Sequence, residues 1–90
     1  MATIEIYTNG WCPFCTRAKR LLDKRGLEYR EYPIDQEPER RAEMIQRSGR
    51  LTVPQIFIGE THVGGSDDLA RLHGNGELDR LLEQSGRSAA

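Results

Sequence analysis

The two cysteines of this chain, Cys12 and Cys15, lie where a strand-like segment passes into a helix-like one. The run from Thr3 to Thr8 alternates β-branched and polar residues, which predicts a strand. After a break at Asn9–Gly10, apolar residues at helical spacing predict a helix from Pro13 to Arg25. A second strand, predicted over residues 27–34, completes a β-α-β unit. That unit requires two parallel strands joined by a right-handed crossover, which excludes most other arrangements of a chain this short.

The remaining segments extend this unit into a domain of the α/β class. In chain order they predict a helix over 35–49, strands over 51–58 and 62–63, and helices over 69–73 and 77–84. Gly59–Glu60 predicts a tight turn, and therefore an antiparallel hairpin, between the last two strands. A Cys-x-x-Cys motif beside a β-α-β pattern is typical of the thioredoxin-like fold, so we predict a four-stranded mixed sheet sandwiched by helices. We expect a single domain over residues 1–84 and a flexible C-terminal tail over 85–90.

Composition argues against several classes of function. The 90 residues have a formal net charge of -1, without the basic footprint of a general nucleic-acid-binding protein. Residues 1–5 lack the basic start of a signal peptide, and no apolar run reaches membrane-spanning length. We therefore expect a cytoplasmic monomer with no nucleic-acid or membrane partner. In a reducing compartment, a lone Cys-x-x-Cys pair is more often catalytic or metal-binding than a structural disulfide.

The placement of the two cysteines indicates thiol–disulfide exchange. A thiol at the first turn of a helix faces unsatisfied backbone N–H groups and the positive end of the helix dipole, and both favour the thiolate. Cys12 is expected to cap the helix, with Pro13 at the first helical position, and is therefore the expected nucleophile. Cys15 is expected on the apolar face of the helix. A zinc site would need four ligands, and the two histidines, His62 and His73, lack the close pairing of a zinc finger, so no metal site is predicted.

Three motifs taken together resemble the glutaredoxin family. The segment Cys12–Cys15 is similar to that family's active site, which is usually Cys-Pro-Tyr-Cys. Thr52–Ile58 resembles its TVPxxFI segment, and Gly64–Leu69 resembles its glutathione-binding GGxxDL turn. The motifs follow in the family's order and spacing, and the resemblance runs from Ile4 to about Leu82. The chain is most similar to the small dithiol glutaredoxins of bacteria.

This resemblance implies a glutathione-dependent thiol–disulfide oxidoreductase. Cys12 would take the glutathionyl group from a glutathionylated protein, and a second glutathione would release it. Cys15 would resolve mixed disulfides with client proteins and leave the two cysteines oxidised. The implied partners are glutathione, as a cosubstrate rather than a bound cofactor, and proteins that are glutathionylated or contain disulfides.

The resemblance also implies which residues bind glutathione. By correspondence with the family they are Phe14, Thr52, Val53, Pro54, Gly65, Ser66 and Asp67. The family's proline is cis and lies opposite the active site, so the Val53 N–H and C=O could pair with an extended peptide. The residue type alone would predict a trans bond, since only about 5–6% of X-Pro bonds are cis. The acidic residue of the turn receives the ammonium of glutathione in the family, whereas the residues alone would make Ser66 and Asp67 helix N-caps.

Two positions depart from the family pattern. Phe14 replaces the usual Tyr, which keeps the ring and removes the hydroxyl. Asn9 stands where many members carry a Lys that contacts a glutathione carboxylate. The nearby basic residues Arg17, Lys19 and Arg20 are expected to form a solvated helix face.

Two alternative functions follow from the same resemblance. One is a glutathione-ligated iron–sulfur cluster that bridges two copies of the chain through Cys12; Pro13 weighs against it, because cluster binding in the family is commoner without that proline. The other is a glutaredoxin-like protein that a flavoprotein reductase reduces, as it does thioredoxins. The glutathione-binding turn weighs against this second alternative.

Overall fold

The structure, a computed structural model, describes residues 3–88, with side chains up to residue 84. Its elements in chain order are β1 (Ile4–Thr8), α1 (Pro13–Lys24), β2 (Arg30–Pro33), α2 (Pro38–Ser48), β3 (Gln55–Ile58), β4 (Thr61–Gly64), α3 (Ser66–Gly74) and α4 (Glu77–Ser88). The strand order across the sheet is β2-β1-β3-β4. β1 pairs in parallel with β2 and antiparallel with β3, and β3 pairs antiparallel with β4, which is the predicted mixed sheet. Within residues 3–88, no helix is both long enough and apolar enough to cross a membrane.

Apolar clusters on the two faces of the sheet hold the helices in place. On one face, β1 and β3 pack against α1, α3 and α4, and the buried members are Ile4, Ile6, Ala18, Leu22, Ile56, Ile58, Leu69 and Leu78. On the other face, Tyr7 and Phe57 pack with Ile34 and with Met44 of α2. Successive residues of a strand point to opposite faces, so β1 and β3 contribute to both clusters. Helices therefore cover the sheet on both sides, as predicted.

The second strand is shorter than the predicted 27–34, because the chain first completes the C-terminal end of α1 and residues 27–29 form a connection. Gly26 has a φ of 67°, in the left-handed region that commonly ends a helix. The Leu27 N–H then donates to the Leu22 carbonyl at 3.0 Å, which completes the helix terminus. β2 begins only at Arg30.

The third strand begins at Gln55 and not at residue 51. Pro54 has no N–H to give to a ladder, and the bond that precedes it, Val53–Pro54, is cis. Residues 51–54 therefore form a loop that leads into β3. This loop carries the first three residues of the middle motif, Thr52–Pro54, and β3 carries the rest.

The last two helices extend beyond their predicted limits. α3 begins at Ser66 instead of residue 69, because Gly65 is its N-cap. α4 continues to Ser88 instead of ending at residue 84, since extending a formed helix costs little where no proline intervenes. The predicted boundary between domain and tail at 84/85 stays a prediction, and residues 89–90 of that tail lie outside the described residues.

Candidate active site

Cys12 is the N-cap residue of α1 and Pro13 is the first residue of the helix, as the sequence predicted. The Cys12 backbone is extended, and its Sγ accepts a hydrogen bond from the Cys15 N–H at 3.1 Å. Cys12 is half-buried, whereas Cys15 is only 1% exposed. Of the two sulfurs, that of Cys12 is therefore the one an external disulfide can reach.

Cys15 is a buried thiol that holds its proton at neutral pH. Burial raises the pKa of this thiol to about 12, and the neighbouring Cys12 adds to the rise through a hydrogen bond and through its charge. A hydrogen bond from the Asn9 backbone and the positive charge of Lys19 act in the opposite direction. The ionisation of Cys15 thus depends on the groups around it as well as on its burial.

The loop before β3 lies against the nucleophile. The Cys12 Sγ is 3.7 Å from the backbone oxygen of Val53, close enough for its thiol to donate a hydrogen bond. The Val53–Pro54 bond is cis, as the family resemblance implied and the residue type alone did not. The Val53 backbone therefore lies beside the sulfur at which exchange would take place.

A groove of about 160 Å³, here termed the front groove, brings the three motifs together. Every residue predicted to bind glutathione lines it: Phe14 from α1, Thr52, Val53 and Pro54 from the loop before β3, and Gly65, Ser66 and Asp67 from the turn into α3. The groove also contains Arg50, Gln55 and Asp68, which the sequence analysis did not single out. The predicted ligands thus share one surface.

The interpretation of Ser66 and Asp67 as helix caps is wrong, because Gly65 is the N-cap of α3. The Asp68 carboxylate takes the capping role and accepts a hydrogen bond from the Gly65 N–H at 2.9 Å. This bond, helped by nearby arginines, outweighs the effect of burial and holds the pKa of Asp68 below its usual range. Asp67, which precedes Asp68 in the chain, lines the same groove and is exposed.

Two side chains of opposite charge line the front groove. Asp67 is exposed, and no cation among the described side chains forms an ion pair with it. Arg50 is about half exposed, with its Nη1 3.6 Å from the Asp68 Oδ2. A groove with an available carboxylate and a guanidinium suits a ligand that carries both an ammonium and a carboxylate. The one sequence signal for Arg50 is its place two residues before the Thr52 motif.

The buried side-chain amide of Gln55 stabilises one wall of the front groove. Gln55 is 1% exposed, and its Nε2 donates to the Thr52 carbonyl at 3.1 Å and to the Thr52 hydroxyl oxygen at 3.3 Å. The Gln55 Oε1 lies 2.7 Å from the His62 Nε2, which is therefore the donor of that bond. The imidazole of His62 in turn stacks on Phe57, with ring centres 4.8 Å apart. These contacts fix the position of Thr52 in the groove.

A second cavity of about 200 Å³, here termed the rear cavity, shares no residue with the front groove. Its lining includes both cysteines together with Lys19, Glu31 and Asp35. The expectation that Lys19 lies on a solvated helix face is wrong, because this residue is half-buried and its Nζ is 3.0 Å from the Glu31 Oε2. The dithiol is thus bordered by two separate cavities.

Metal-binding side chains do not cluster in the part of the chain that the structure describes. No group of three or more His, Cys, Asp or Glu residues there is placed to hold a metal ion.

Comparison with known proteins relates this site to a family. The family model for glutaredoxin matches residues 4–63. A glutaredoxin of Pseudomonas aeruginosa is 54% identical over 82 residues, which are 91% of this chain and 98% of that protein. Glutaredoxin 3 of Escherichia coli K12 is 55% identical over 83 residues, which are 92% of this chain and 100% of that protein.

Solved structures agree with these matches. The solution structure of a glutaredoxin from Brucella melitensis is 55% identical, with a TM-score of 0.79, and the match covers 91% of this chain and 89% of that one. A buckwheat glutaredoxin, solved as a complex with glutathione, is 34% identical, with a TM-score of 0.82 and coverage of 92% and 78%. These neighbours confirm that the predicted α/β sandwich is the thioredoxin-like fold.

Proposed function

This chain belongs to the glutaredoxin family, and we propose that it is a glutathione-dependent enzyme that reduces protein–glutathione mixed disulfides and protein disulfides. Membership of the family makes it a thiol–disulfide oxidoreductase. The proposed part is the dependence on glutathione. The observation that carries it is the front groove, whose Val53 loop lies 3.7 Å from the Cys12 sulfur.

The front groove offers complementary groups to each part of glutathione. The Val53 backbone can pair with the cysteinyl unit in the manner of a strand edge, which brings the glutathione sulfur to Cys12. The Asp67 carboxylate can receive the ammonium of the γ-glutamyl end. Arg50 supplies a positive charge for a carboxylate, in a chain where Asn9 replaces the lysine of many relatives. The buckwheat neighbour was solved with glutathione, which supports the same ligand for this groove.

The monothiol reaction needs only Cys12. Its thiolate, which accepts a hydrogen bond from the Cys15 N–H, attacks the glutathione sulfur of a mixed disulfide. The new bond joins Cys12 to glutathione, and the client protein leaves as a thiol. A second glutathione thiolate then attacks the Cys12-bound glutathione, which yields oxidised glutathione and restores Cys12.

The dithiol reaction also uses Cys15. Cys12 attacks a client disulfide and forms a mixed disulfide with one of its sulfurs, and the other sulfur leaves. Cys15 then attacks the Cys12 sulfur, which releases the reduced client and leaves a Cys12–Cys15 disulfide for glutathione to reduce. The short spacing of the two cysteines on α1 makes this second attack intramolecular.

We expect the protein to act in the cytoplasm as a monomer. An exchange-active pair with one accessible sulfur suits a reducing compartment, where thiols are regenerated after each cycle. Its expected partners are glutathione and proteins that carry glutathionyl groups or disulfides.

A coupled assay tests the glutathione dependence. The substrate is a mixed disulfide of glutathione with a small thiol, and the reductant is glutathione regenerated by glutathione reductase and NADPH. A parallel reaction replaces this system with a thioredoxin-type flavoprotein reductase, and another omits the protein. We expect turnover above the protein-free background only in the glutathione reaction. Turnover in the flavoprotein-reductase reaction and none in the glutathione reaction would contradict the proposal.

A further inference from the structure

The rear cavity places a single ammonium beside the buried cysteine. Lys19 follows Cys15 by four residues on α1, and residues at this spacing are neighbours on one face of a helix. Both residues line the rear cavity. The charge of Lys19 therefore acts on the Cys15 sulfur, in the direction that favours its thiolate.

Hydrogen bonds hold the Lys19 ammonium in this place. Its Nζ donates to the Glu31 Oε2 at 3.0 Å, and the hydroxyl of Thr8 donates to the same oxygen at 2.7 Å. Thr8 is 1% exposed and ends the central strand β1, so it anchors the pair to the sheet. The hydrogen bond to Glu31 outweighs the effect of burial and raises the pKa of Lys19, so the ammonium stays charged.

The charges around Cys15 come from three parts of the chain. The titratable groups that line the rear cavity with Cys15 are Cys12 and Lys19 at α1, Glu31 of β2 and Asp35 of the following loop. Among these described groups, Lys19 is the one cation, opposed by the two carboxylates. Without Lys19, a negative charge forming on Cys15 would face carboxylates alone.

The resolving step requires such a charge. In the mixed disulfide the Cys12 sulfur is bonded to the client and carries no charge, so it no longer opposes ionisation of Cys15. Burial still opposes it, and the Asn9 backbone and Lys19 remain to offset burial. The thiolate, not the thiol, is the attacking species in exchange.

We propose that Lys19, held in the rear cavity by Glu31 and Thr8, promotes the resolving step by stabilising the Cys15 thiolate as it attacks Cys12. In this step Cys15 gives its proton to solvent, the Cys12–Cys15 bond forms, and the bond between Cys12 and the client sulfur breaks. The client leaves as a thiolate and takes up a proton. The inference deepens the proposed function, since it assigns Lys19 to the dithiol route and leaves the monothiol route unchanged.

Dithiodipyridine, a neutral disulfide, separates the two attacks in a single reaction. Attack by Cys12 releases a first pyridinethione, and attack by Cys15 on the resulting mixed disulfide releases a second. Both are followed by absorbance in a stopped-flow instrument with the reduced, full-length protein. Because the probe contains no glutathione, a negative result in the glutathione assay and a negative result here remain distinguishable.

We expect Lys19→Met to slow the second release about tenfold at neutral pH, because it removes the one cation among the described groups that line the rear cavity. The first release should hardly change. Lys19→Arg should restore most of the rate, since it keeps the positive charge.

Lys24→Met is the matched control, because Lys24 is an exposed lysine on the same helix and does not line the rear cavity. It should leave both releases at the wild-type rate. A second release in Lys19→Met that equals the wild-type rate would overturn the proposal. So would an equal slowing of both releases, since that result indicates altered packing of α1.

Discussion

The front groove and the rear cavity border the same dithiol but present different chemistry to it. The front groove combines the Val53 backbone, the exposed Asp67 and the half-exposed Arg50 beside the accessible Cys12. The rear cavity contains the buried Cys15 and the Lys19–Glu31 pair. The difference shows that a Cys-x-x-Cys motif is asymmetric in its surroundings as well as in its exposure. The Cys12 sulfur lies against the Val53 loop of the front groove and also lines the rear cavity, whereas Cys15 lines only the rear cavity, where the charge of Lys19 favours its thiolate.

Replacing each cysteine should separate the two regions most sharply. Cys12→Ser should abolish all turnover, because Cys12 is the accessible thiol. Cys15→Ser should retain reduction of glutathione mixed disulfides and lose most reduction of protein disulfides, since only the latter needs a resolving thiol. Steady-state rates with both kinds of substrate measure the effect. Equal loss in the two variants on a glutathione mixed disulfide would rule out a monothiol route.

Gly64→Ala should damage the front groove and spare the rear cavity. Gly64 has a φ of 115°, and a Cβ there would collide with the Asp68 carboxylate that caps α3. We expect a loss of about 1–3 kcal/mol in the free energy of unfolding, measured by urea denaturation, together with a higher KM for glutathione. The rates of dithiodipyridine reduction by the folded protein should stay close to those of the wild type.

Gly74→Ala is the control for this substitution, because a Cβ at Gly74 meets nothing within 4 Å. It should leave stability unchanged or slightly raised. Similar losses in both glycine variants would show that the turn into α3 has no special requirement at Gly64.

Asp67→Ala tests the charge complementarity of the front groove. The loss of one charge-assisted contact, reduced by solvent screening, should lower kcat/KM for glutathione about five- to thirtyfold. Alkylation of Cys12 by a small neutral reagent should hardly change, because the sulfur is untouched. Asp68→Ala should instead lower the melting temperature, since Asp68 holds the cap. If Asp67→Ala lost stability and kept its glutathione kinetics, the binding role would be excluded.

The smallest expected effect is a pH dependence of stability that arises from Asp68, which caps α3 beside the front groove. The pKa of Asp68 is lowered in the folded state, chiefly by the hydrogen bond from the Gly65 N–H. Its contribution to stability is therefore present above the unfolded-state pKa of about 3.9 and is lost as pH falls through the folded-state pKa. Urea midpoints measured from about pH 6 down to pH 3 should fall less steeply in Asp68→Asn than in the wild type. Parallel pH profiles for the two proteins would contradict this assignment.

Features set by neighbouring residues were predictable from the sequence. The cap position of Cys12, the helical start at Pro13 and the end of α1 at Gly26 each follow from residues within one turn of each other. The mixed sheet followed from the order of the strands and the lengths of their connections. The family resemblance added the cis bond at Pro54, which the residue type alone would have made trans.

Several contacts were decided only by the tertiary structure. The cap of α3 is a local contact that the sequence left open, because Ser66 and Asp67 are suitable capping residues, whereas in the structure Gly65 is the N-cap and its N–H donates to the Asp68 carboxylate. Lys19 meets Glu31 only because α1 packs on the sheet beside β2, and Arg50 enters the front groove only because the loop before β3 runs next to α3. Caps and turns depend on bonds between near neighbours, so the sequence narrows each of them to a few candidate residues. The linings of the two cavities depend on residues far apart in the chain, which hydrophobic burial of the two sheet faces brings together.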